Sequence, residues 1–232
     1  MVGDGSTALH STDNKRRGHH RVNYEDHRRQ YVLGGLRSSM LSASPFDLFA
    51  DWQQQAIDAG LKDPTAVSLA TMDSQGVPWQ RLVLLKGISN GGFVFYTNYS
   101  SNKARALASE PRASMLFPWN ELDRQVIASG RVAPISDEES DAYFSSRPRE
   151  SQLGAWASSQ SQPIVNREQL ESQYAEVLQR FGDGDIPRPP HWGGYRLEPE
   201  TIEFWQGGEN RLHDRFRFSR EGADWVAQRL QP

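Results

Sequence analysis

The chain has 232 residues, and not one of them is cysteine. Disulfide bridges and thiolate metal sites are therefore excluded, and a reducing cytoplasm is the compartment that this composition favours. Basic residues are not in excess either, because 26 Lys and Arg face 29 Asp and Glu, for a net charge of −3. A general nucleic-acid binder usually has a basic surplus, so this balance argues against one.

Long apolar runs and several common signatures are also missing. No stretch approaches the roughly 20 apolar residues of a membrane-spanning helix, and no charged start precedes an apolar segment, so we expect no signal peptide. The patterns GxxxxGK[ST], GxGxxG after a strand, GxSxG and HExxH do not occur. P-loop, Rossmann, hydrolase-elbow and zinc-protease chemistry are therefore unsupported, and we predict no metal site.

The length suits one sizeable domain, and aromatic residues at 10% of the chain indicate a globular protein. Residues 1–25 are rich in Gly, Ser, Asp, Asn and basic residues without an apolar period. We predict a disordered tail there and a single domain over residues 26–232.

Most of that domain shows the alternation of apolar and polar residues that is typical of strands. A first helix begins at Ser44-Pro45 and stops at Gly60, and the turns at 73–76 and 89–92 then separate successive strands. About eight strands with few helices between them predict a mainly β, antiparallel α+β fold closed as a barrel. The predicted strands are 65–72, 77–86, 93–97, 112–118, 124–135, 192–197, 200–205, 215–218 and 224–230; further helices are predicted near 100–103, from Ser136 to Ser146 and from Asn166.

The segment WQGGENRLHDR at 205–215 does not alternate like a packing pattern. Gly207 and Gly208 predict a turn. Arg211, His213 and Arg215 alternate, so on an extended backbone they would share one face and repel each other unless an anion lies over them. A solvated hairpin face is the alternative at this point.

Two further places combine cations with strand ends. Arg81 and Lys86 lie in an otherwise apolar strand, where they are either solvated near its ends or reach an anion. The strand ending at Tyr96-Thr97 leads into a short helix with Lys103 in its first turn, a plausible phosphate site because free backbone N–H groups point outward there.

The basic and hydrogen-bonding residues that packing does not explain are too numerous for one phosphate. A cation and an anion ~4 Å apart attract by about 4 kcal/mol at an effective dielectric near 20, so Arg and Lys are the expected lining of an anion site. The set predicts two phosphorylated ligands side by side and comprises Arg81, Lys86, Lys103, Gln125, Tyr143, Arg147, Ser151, Gln160, Ser161, Arg211, His213 and Arg215.

With these residues identified, the chain closely resembles the pyridoxamine (pyridoxine) 5'-phosphate oxidase family over about residues 28–232. Each block is weak alone, but their combination in this order is specific. The blocks are RRQY at 28–31, QRLVLLK at 80–86, FYTN at 95–98, RQV at 124–126, YFSSRPRESQLGAW at 143–156, QS at 160–161 and EFWQGGENRLHDR at 203–215.

The resemblance implies an FMN-binding split β-barrel whose sites lie at a homodimer interface, and oxidation of phosphorylated vitamin B6 forms by O2 to pyridoxal 5'-phosphate. It implies that FMN is bound by Arg81, Leu82, Val83, Leu84, Leu85, Lys86, Tyr96, Thr97, Lys103, Gln125, Gln160, Ser161, Trp205 and Arg215. It implies that the substrate is bound by Arg28, Arg29, Gln30 and Tyr31 as a lid, by Lys86, Tyr143, Arg147 and Ser151 at its phosphate, and by Arg211, Leu212 and His213, with Arg211 and His213 as the catalytic pair.

One departure from the family pattern concerns the phosphate end of FMN. The family usually has Ser-Arg-Lys where this chain has Ser101-Asn102-Lys103. A charge-assisted hydrogen bond contributes roughly 1.5–3 kcal/mol, so we expect weaker FMN retention unless another residue compensates. Two alternatives stay open: a different flavin-type oxidoreductase on the same barrel, or a non-catalytic carrier of FMN or pyridoxal phosphate.

Overall fold

The structure is a computed structural model that describes residues 30–31 and 35–232. Residues 31–232 form one compact unit. The tail predicted over 1–25 and the lid residues Arg28 and Arg29 lie outside the described residues. The division of the chain at 25/26 therefore stays a prediction.

The predicted antiparallel, mainly β fold with peripheral helices is confirmed. Nine strands form one sheet in the order β2-β1-β5-β6-β7-β4-β3, with β8 paired to β7 and β9 to β8, and every neighbouring pair is antiparallel. The strands are β1 Ala66–Met72, β2 Pro78–Leu84, β3 Gly87–Ser89, β4 Gly92–Asn98, β5 Arg112–Trp119, β6 Arg124–Pro134, β7 Trp192–Gln206, β8 Asp214–Glu221 and β9 Asp224–Leu230.

β7 corrects the prediction of two strands at 192–197 and 200–205. It is one 15-residue strand that passes through Pro199. A proline cannot donate a ladder hydrogen bond and is tolerated at irregularities. The β6–β7 register shifts between Ser129 and Gly130, and Gly130 is the residue opposite Pro199. A Cβ on Gly130 would lie 2.0 Å from the Glu198 carbonyl oxygen, so only glycine allows this close approach.

Five α-helices flank the sheet in the part of the chain that the structure describes. α1 (Pro45–Asp58) begins as predicted, with the Ser44 hydroxyl accepting from the Phe46 N–H, and it buries Phe49 and Trp52 in the core. α3 (Asp137–Ser145) has the predicted capping box, in which Ser136 and Glu139 cap each other's backbone. The other helices are α2 Asn102–Ser109, α4 Arg149–Ala157 and α5 Arg167–Phe181. In the described part of the chain, no helix has the length and apolarity needed to cross a membrane.

Two apolar clusters hold these elements in place. The larger lies inside the curled sheet, where Phe49, Phe93 and Phe117 pack with ring centroids 4.7–5.6 Å apart. The smaller joins the buried Phe144 and Trp192 to α4 and α5. It fixes the loop between α3 and α4 against the start of β7, and Arg147 lies in that loop.

Candidate functional site

β2 presents Arg81 on the inner side of the sheet. Its burial alternates as the sequence predicts: Arg81 and Val83 are half-buried, whereas Leu82 and Leu84 are 71% and 44% exposed. The Arg81 Nη1 donates to the Leu69 carbonyl at 3.1 Å and to the Thr71 hydroxyl at 2.7 Å. These neutral acceptors hold the guanidinium in place and leave its charge unneutralised. Leu85 is buried in the core, and it borders none of the cavities described below.

Lys103 lies in the first turn of α2, which Ser101 caps. Its Nζ donates to Gln160 Oε1 at 2.7 Å and to Thr97 Oγ1 at 3.0 Å. Burial, and next the charge of Arg81, lowers the pKa of Lys103 to about 8. A desolvated ammonium among neutral partners is a favourable site for an anion, because a nearby negative charge stabilises the charged form that burial disfavours.

An aromatic stack supports Arg147. The rings of Tyr96 and Tyr143 are stacked with centroids 3.9 Å apart, and the Trp192 ring is nearly parallel to both, 5.3 Å from Tyr96 and 6.2 Å from Tyr143. The Arg147 guanidinium lies 4.6 Å from the Trp192 ring centroid, and burial lowers the pKa of Arg147. Its Nη1 is buried and has no hydrogen-bond partner among the described residues. A buried, unpaired guanidinium nitrogen is costly unless a ligand completes it.

These side chains line three cavities of about 590, 310 and 280 Å³, and Gln160 borders all of them. Arg81 and Lys103 border the first two cavities, which are also bordered by Ser161 in the first and by Lys86 and Arg147 in the second. The third is bordered by Arg147 and Ser151. We call the predicted residues gathered here the cavity cluster: Arg81, Leu82, Val83, Leu84, Lys86, Tyr96, Thr97, Lys103, Tyr143, Arg147, Ser151, Gln160 and Ser161.

The remaining described candidates gather elsewhere. Gln125, Trp205 and Arg215 stand opposite one another on β6, β7 and β8, and all three border a cavity of about 460 Å³. The Glu203 carboxylate accepts from Arg215 at 2.7 Å and from Arg217 at 2.9 Å. We call Gln125, Trp205, Arg211, His213 and Arg215 the C-terminal cluster.

The extended backbone on which Arg211, His213 and Arg215 would share one face is not found at Arg211. Glu209–Arg211 is a 3-10 turn in which Asn210 and Arg211 have φ of 54° and 65°, and β8 begins only at Asp214. Arg211 is therefore in the loop, exposed, with its guanidinium 5.6 Å from the Tyr31 ring centroid. Leu212 is 72% exposed. The expected repulsion is relieved because Arg215 pairs with Glu203.

His213 is held in one orientation. Its ring lies 4.6 Å from Trp205 and 5.3 Å from Tyr31, between centroids. The Gly208 N–H donates to His213 Nδ1 at 3.1 Å. Burial, and next the charge of Arg211, lowers the pKa of His213, so the ring is neutral at pH 7. With Nδ1 accepting, Nε2 carries the proton and points its donor outward.

The two clusters lie at opposite ends of β7. Tyr96 pairs with Gly194, whereas Gln125 and Arg215 pair with Trp205. Those eleven positions correspond to as much as ~35 Å of extended strand at about 3.3 Å per residue. Their cavities share no residue. The described chain therefore holds these predicted site residues in two separate clusters.

Profiles of known families match both halves of the chain. Residues 53–181 match the family described as "Pyridoxamine 5'-phosphate oxidase", and residues 192–232 match "Pyridoxine 5'-phosphate oxidase C-terminal dimerisation region". The chain belongs to the pyridoxamine 5'-phosphate oxidase family. Proteins named pyridoxine/pyridoxamine 5'-phosphate oxidase are similar along most of its length. The one from Serratia proteamaculans is 52% identical (89% of this chain, 95% of the relative), and the one from Paraburkholderia phytofirmans is 54% identical (88% and 97%).

Two solved structures share the fold. PhzG from Burkholderia lata 383, in complex with tetrahydrophenazine-1-carboxylic acid, aligns with a TM-score of 0.79 at 36% identity, over 84% of this chain and 95% of that chain. A pyridoxamine 5'-phosphate oxidase-related, FMN-binding protein from Nostoc punctiforme aligns with a TM-score of 0.67 at 16% identity, over 83% and 100%. The predicted split β-barrel is thereby confirmed.

Several residues of the site escape sequence reasoning. Trp192 supports both Tyr96 and Arg147, and its only signal is its position at the start of a predicted strand. Glu203 is 8% exposed and neutralises Arg215; its place in the EFWQGG block is a signal of proximity but not of that role. Arg105 borders the largest cavity. Among the described residues, no three His, Cys, Asp or Glu side chains are grouped as a metal site.

Proposed function

We propose that this chain is an FMN-dependent oxidase that converts pyridoxamine 5'-phosphate and pyridoxine 5'-phosphate to pyridoxal 5'-phosphate, as a homodimer. The observation that carries the proposal is the buried Arg147 Nη1 without a partner, close to a second cationic site at Arg81 and Lys103. Two anion sites suit a phosphorylated cofactor beside a phosphorylated substrate. Family membership and the names of its relatives support the same reaction.

The separation of the cavity cluster from the C-terminal cluster explains why this proposal needs a dimer. All members of the C-terminal cluster except Gln125 belong to the segment that matches a dimerisation region, so a second copy can bring that cluster to the cavity cluster of the first. In a twofold dimer the same contact forms twice. The flavin lies between the two clusters in this proposal, with its phosphate toward Arg81, Lys103 and Gln160.

The residues divide the work between binding and orientation. Arg147, Ser151, Tyr143 and Lys86 hold the substrate phosphate. Arg211 and the Nε2–H of neutral His213 orient the pyridine ring from the second copy. When bound, FMN would supply the two-electron chemistry that the residues do not, oxidation at C4′ of the substrate coupled to reduction of O2 to H2O2. Oxidation of the amine substrate would also consume water and release ammonia. The protein therefore needs no strong base and acts through positioning.

The first test is a visible spectrum under anaerobic conditions. We expect the FMN-loaded protein to lose its flavin absorbance when pyridoxamine 5'-phosphate is added, and to regain it with formation of H2O2 when O2 is admitted. A carrier would keep its colour. A different flavin oxidoreductase would not favour the phosphorylated amine over unphosphorylated pyridoxamine. Either result would contradict the proposed reaction.

The pH dependence of FMN binding tests the role of Lys103. Because its pKa in the FMN-free protein is about 8, a phosphate dianion must draw a proton onto Lys103 above that pH. We expect the FMN dissociation constant to stay level between pH 7 and 8 and then to rise, by at most about tenfold per pH unit. Fluorescence titrations at pH 7–9.5 measure this rise.

Two controls isolate the effect to Lys103. Lys103→Met should bind FMN more weakly at pH 7 and lose most of the pH dependence. Riboflavin, which has the ring system without the phosphate, corrects for ionisation of the flavin itself. An FMN affinity of the wild-type protein that is constant up to pH 9.5 would show that Lys103 does not contact the phosphate.

A further inference from the structure

The largest cavity carries more positive charge than the resemblance assigns to it. Arg81, Lys103 and Arg105 all border its volume of about 590 Å³. The one carboxylate on its wall, Asp73, already accepts from the N–H groups of Gln75 and Val77 and from Trp79 Nε1, and these bonds lower its pKa. The three cations thus exceed the single anion by a charge of about two, which matches a phosphate monoester dianion.

Arg105 is directed toward the start of α2. Its Nη1 donates to the Ser100 carbonyl at 2.6 Å and its Nη2 to Asn102 Oδ1 at 2.5 Å. Residues three apart lie on the same side of a helix, so the Asn102 amide is placed to receive this bond. A guanidinium has five N–H donors, and these two bonds leave the others available beside Lys103.

In the sequence Asn102 indicates the loss of a cation, whereas in the structure its side chain accepts a hydrogen bond from Arg105. An arginine at 102 would place a second guanidinium next to Arg105 and remove the acceptor that orients it. We infer that Arg105 contacts the cofactor phosphate directly and replaces the arginine usually found at position 102, with Asn102 as its positioning residue. This inference rests on the proposed function and answers the expectation of weak FMN retention: the cation is moved along the helix and is not lost.

Binding of FMN and of riboflavin to the FMN-free protein tests the inference. Because a charge-assisted hydrogen bond is removed, Arg105→Gln should weaken FMN binding about tenfold or more and leave riboflavin binding within about twofold. Asn102→Arg should bind FMN no more tightly than wild type. Arg167→Gln is the matched control, since Arg167 is an exposed helix arginine paired with Glu171, and it should change neither affinity.

Three outcomes would overturn the inference. Arg105→Gln could bind FMN like wild type, it could lose FMN and riboflavin equally, or Asn102→Arg could bind FMN about tenfold more tightly than wild type. Arg105→Lys separates charge from fold, because it should recover part of the FMN affinity if the loss is electrostatic. If wild-type protein itself takes up no FMN, the proposed function fails as well, so the two failures are distinguishable.

Discussion

Replacing Arg147 with Met should lower kcat/KM for pyridoxamine 5'-phosphate at least about a hundredfold, a loss of roughly 2.7 kcal/mol in transition-state binding. The guanidinium is fixed 4.6 Å from the Trp192 ring centroid, and its buried Nη1 has no partner among the described residues. A phosphate that binds two N–H groups of the Arg147 guanidinium gains two charge-assisted hydrogen bonds of roughly 1.5–3 kcal/mol each. Methionine keeps the apolar stem against Trp192, so the loss reports the charge and not the packing.

Substrate choice makes this result specific. Unphosphorylated pyridoxamine has no phosphate to bind the Arg147 guanidinium, so its kcat/KM should change little in Arg147→Met. The ratio of the kcat/KM values for the phosphorylated and unphosphorylated substrates should therefore fall sharply. The kcat/KM of Arg147→Lys for the phosphorylated substrate should lie between those of the wild type and Arg147→Met, because lysine restores the charge without the bidentate geometry.

Arg149 offers a neighbouring control on the same segment. Its guanidinium donates to the carbonyl oxygens of Gly182 and, at 2.7 Å, Gly184, so Arg149→Met should affect the end of α5 and leave kcat/KM within about threefold. Steady-state kinetics with both substrates measure all of these values. A hundredfold loss in Arg149→Met with none in Arg147→Met would reverse the assignment.

The regular strands were within reach of the sequence, because apolar and polar residues alternate with the pleat. The strands predicted at 65–72 and 112–118 correspond to Ala66–Met72 and Arg112–Trp119. Even the inward direction of Arg81 follows from alternation with Leu82. These properties depend on residues that are close together in the sequence, so the sequence alone is enough to predict them.

Positions where a residue departs from the usual local pattern of its type were harder to predict. Pro148 ends α3, as its restriction on Arg147 predicts, but it is also the N-cap of α4, so the helix over Arg149–Ala157 was not expected. Pro199 suggests a break in β7 and instead lies opposite Gly130 at a register shift. Asn210 and Arg211 adopt left-handed backbone angles that their sequence does not demand.

The division of the candidate residues into two clusters depends on topology. Gln160 and Trp205 are both far from Thr97 in sequence, and the sequence does not indicate which of them lies near it. Only the pairing of β4 with the first part of β7, and of β6 and β8 with its last part, separates the two clusters. The proposed need for a second copy therefore rests on the three-dimensional structure, and from the sequence it follows only through resemblance.

Two defective subunits should restore each other's activity if the site is shared between copies. Arg147→Met damages the cavity cluster, and Arg211→Ala, which should cost at least about tenfold in kcat/KM or roughly 1.4 kcal/mol, damages the C-terminal cluster. In a hybrid twofold dimer both lesions fall in one site, and the other site is built from intact clusters. The hybrid should therefore show about half the wild-type activity, far above either parent.

Co-expression with two different affinity tags isolates the hybrid, and its kcat/KM per dimer is then measured at pyridoxamine 5'-phosphate concentrations below KM. A dimer of two differently tagged Arg147→Met chains is the matched control and should stay as inactive as its parent. If each site instead lay within one chain, every site of the hybrid would carry one lesion, and the activity would equal the mean of the two parents. That outcome would refute the interface site, and it would require the cavity cluster and the C-terminal cluster to meet across the length of β7 that separates them.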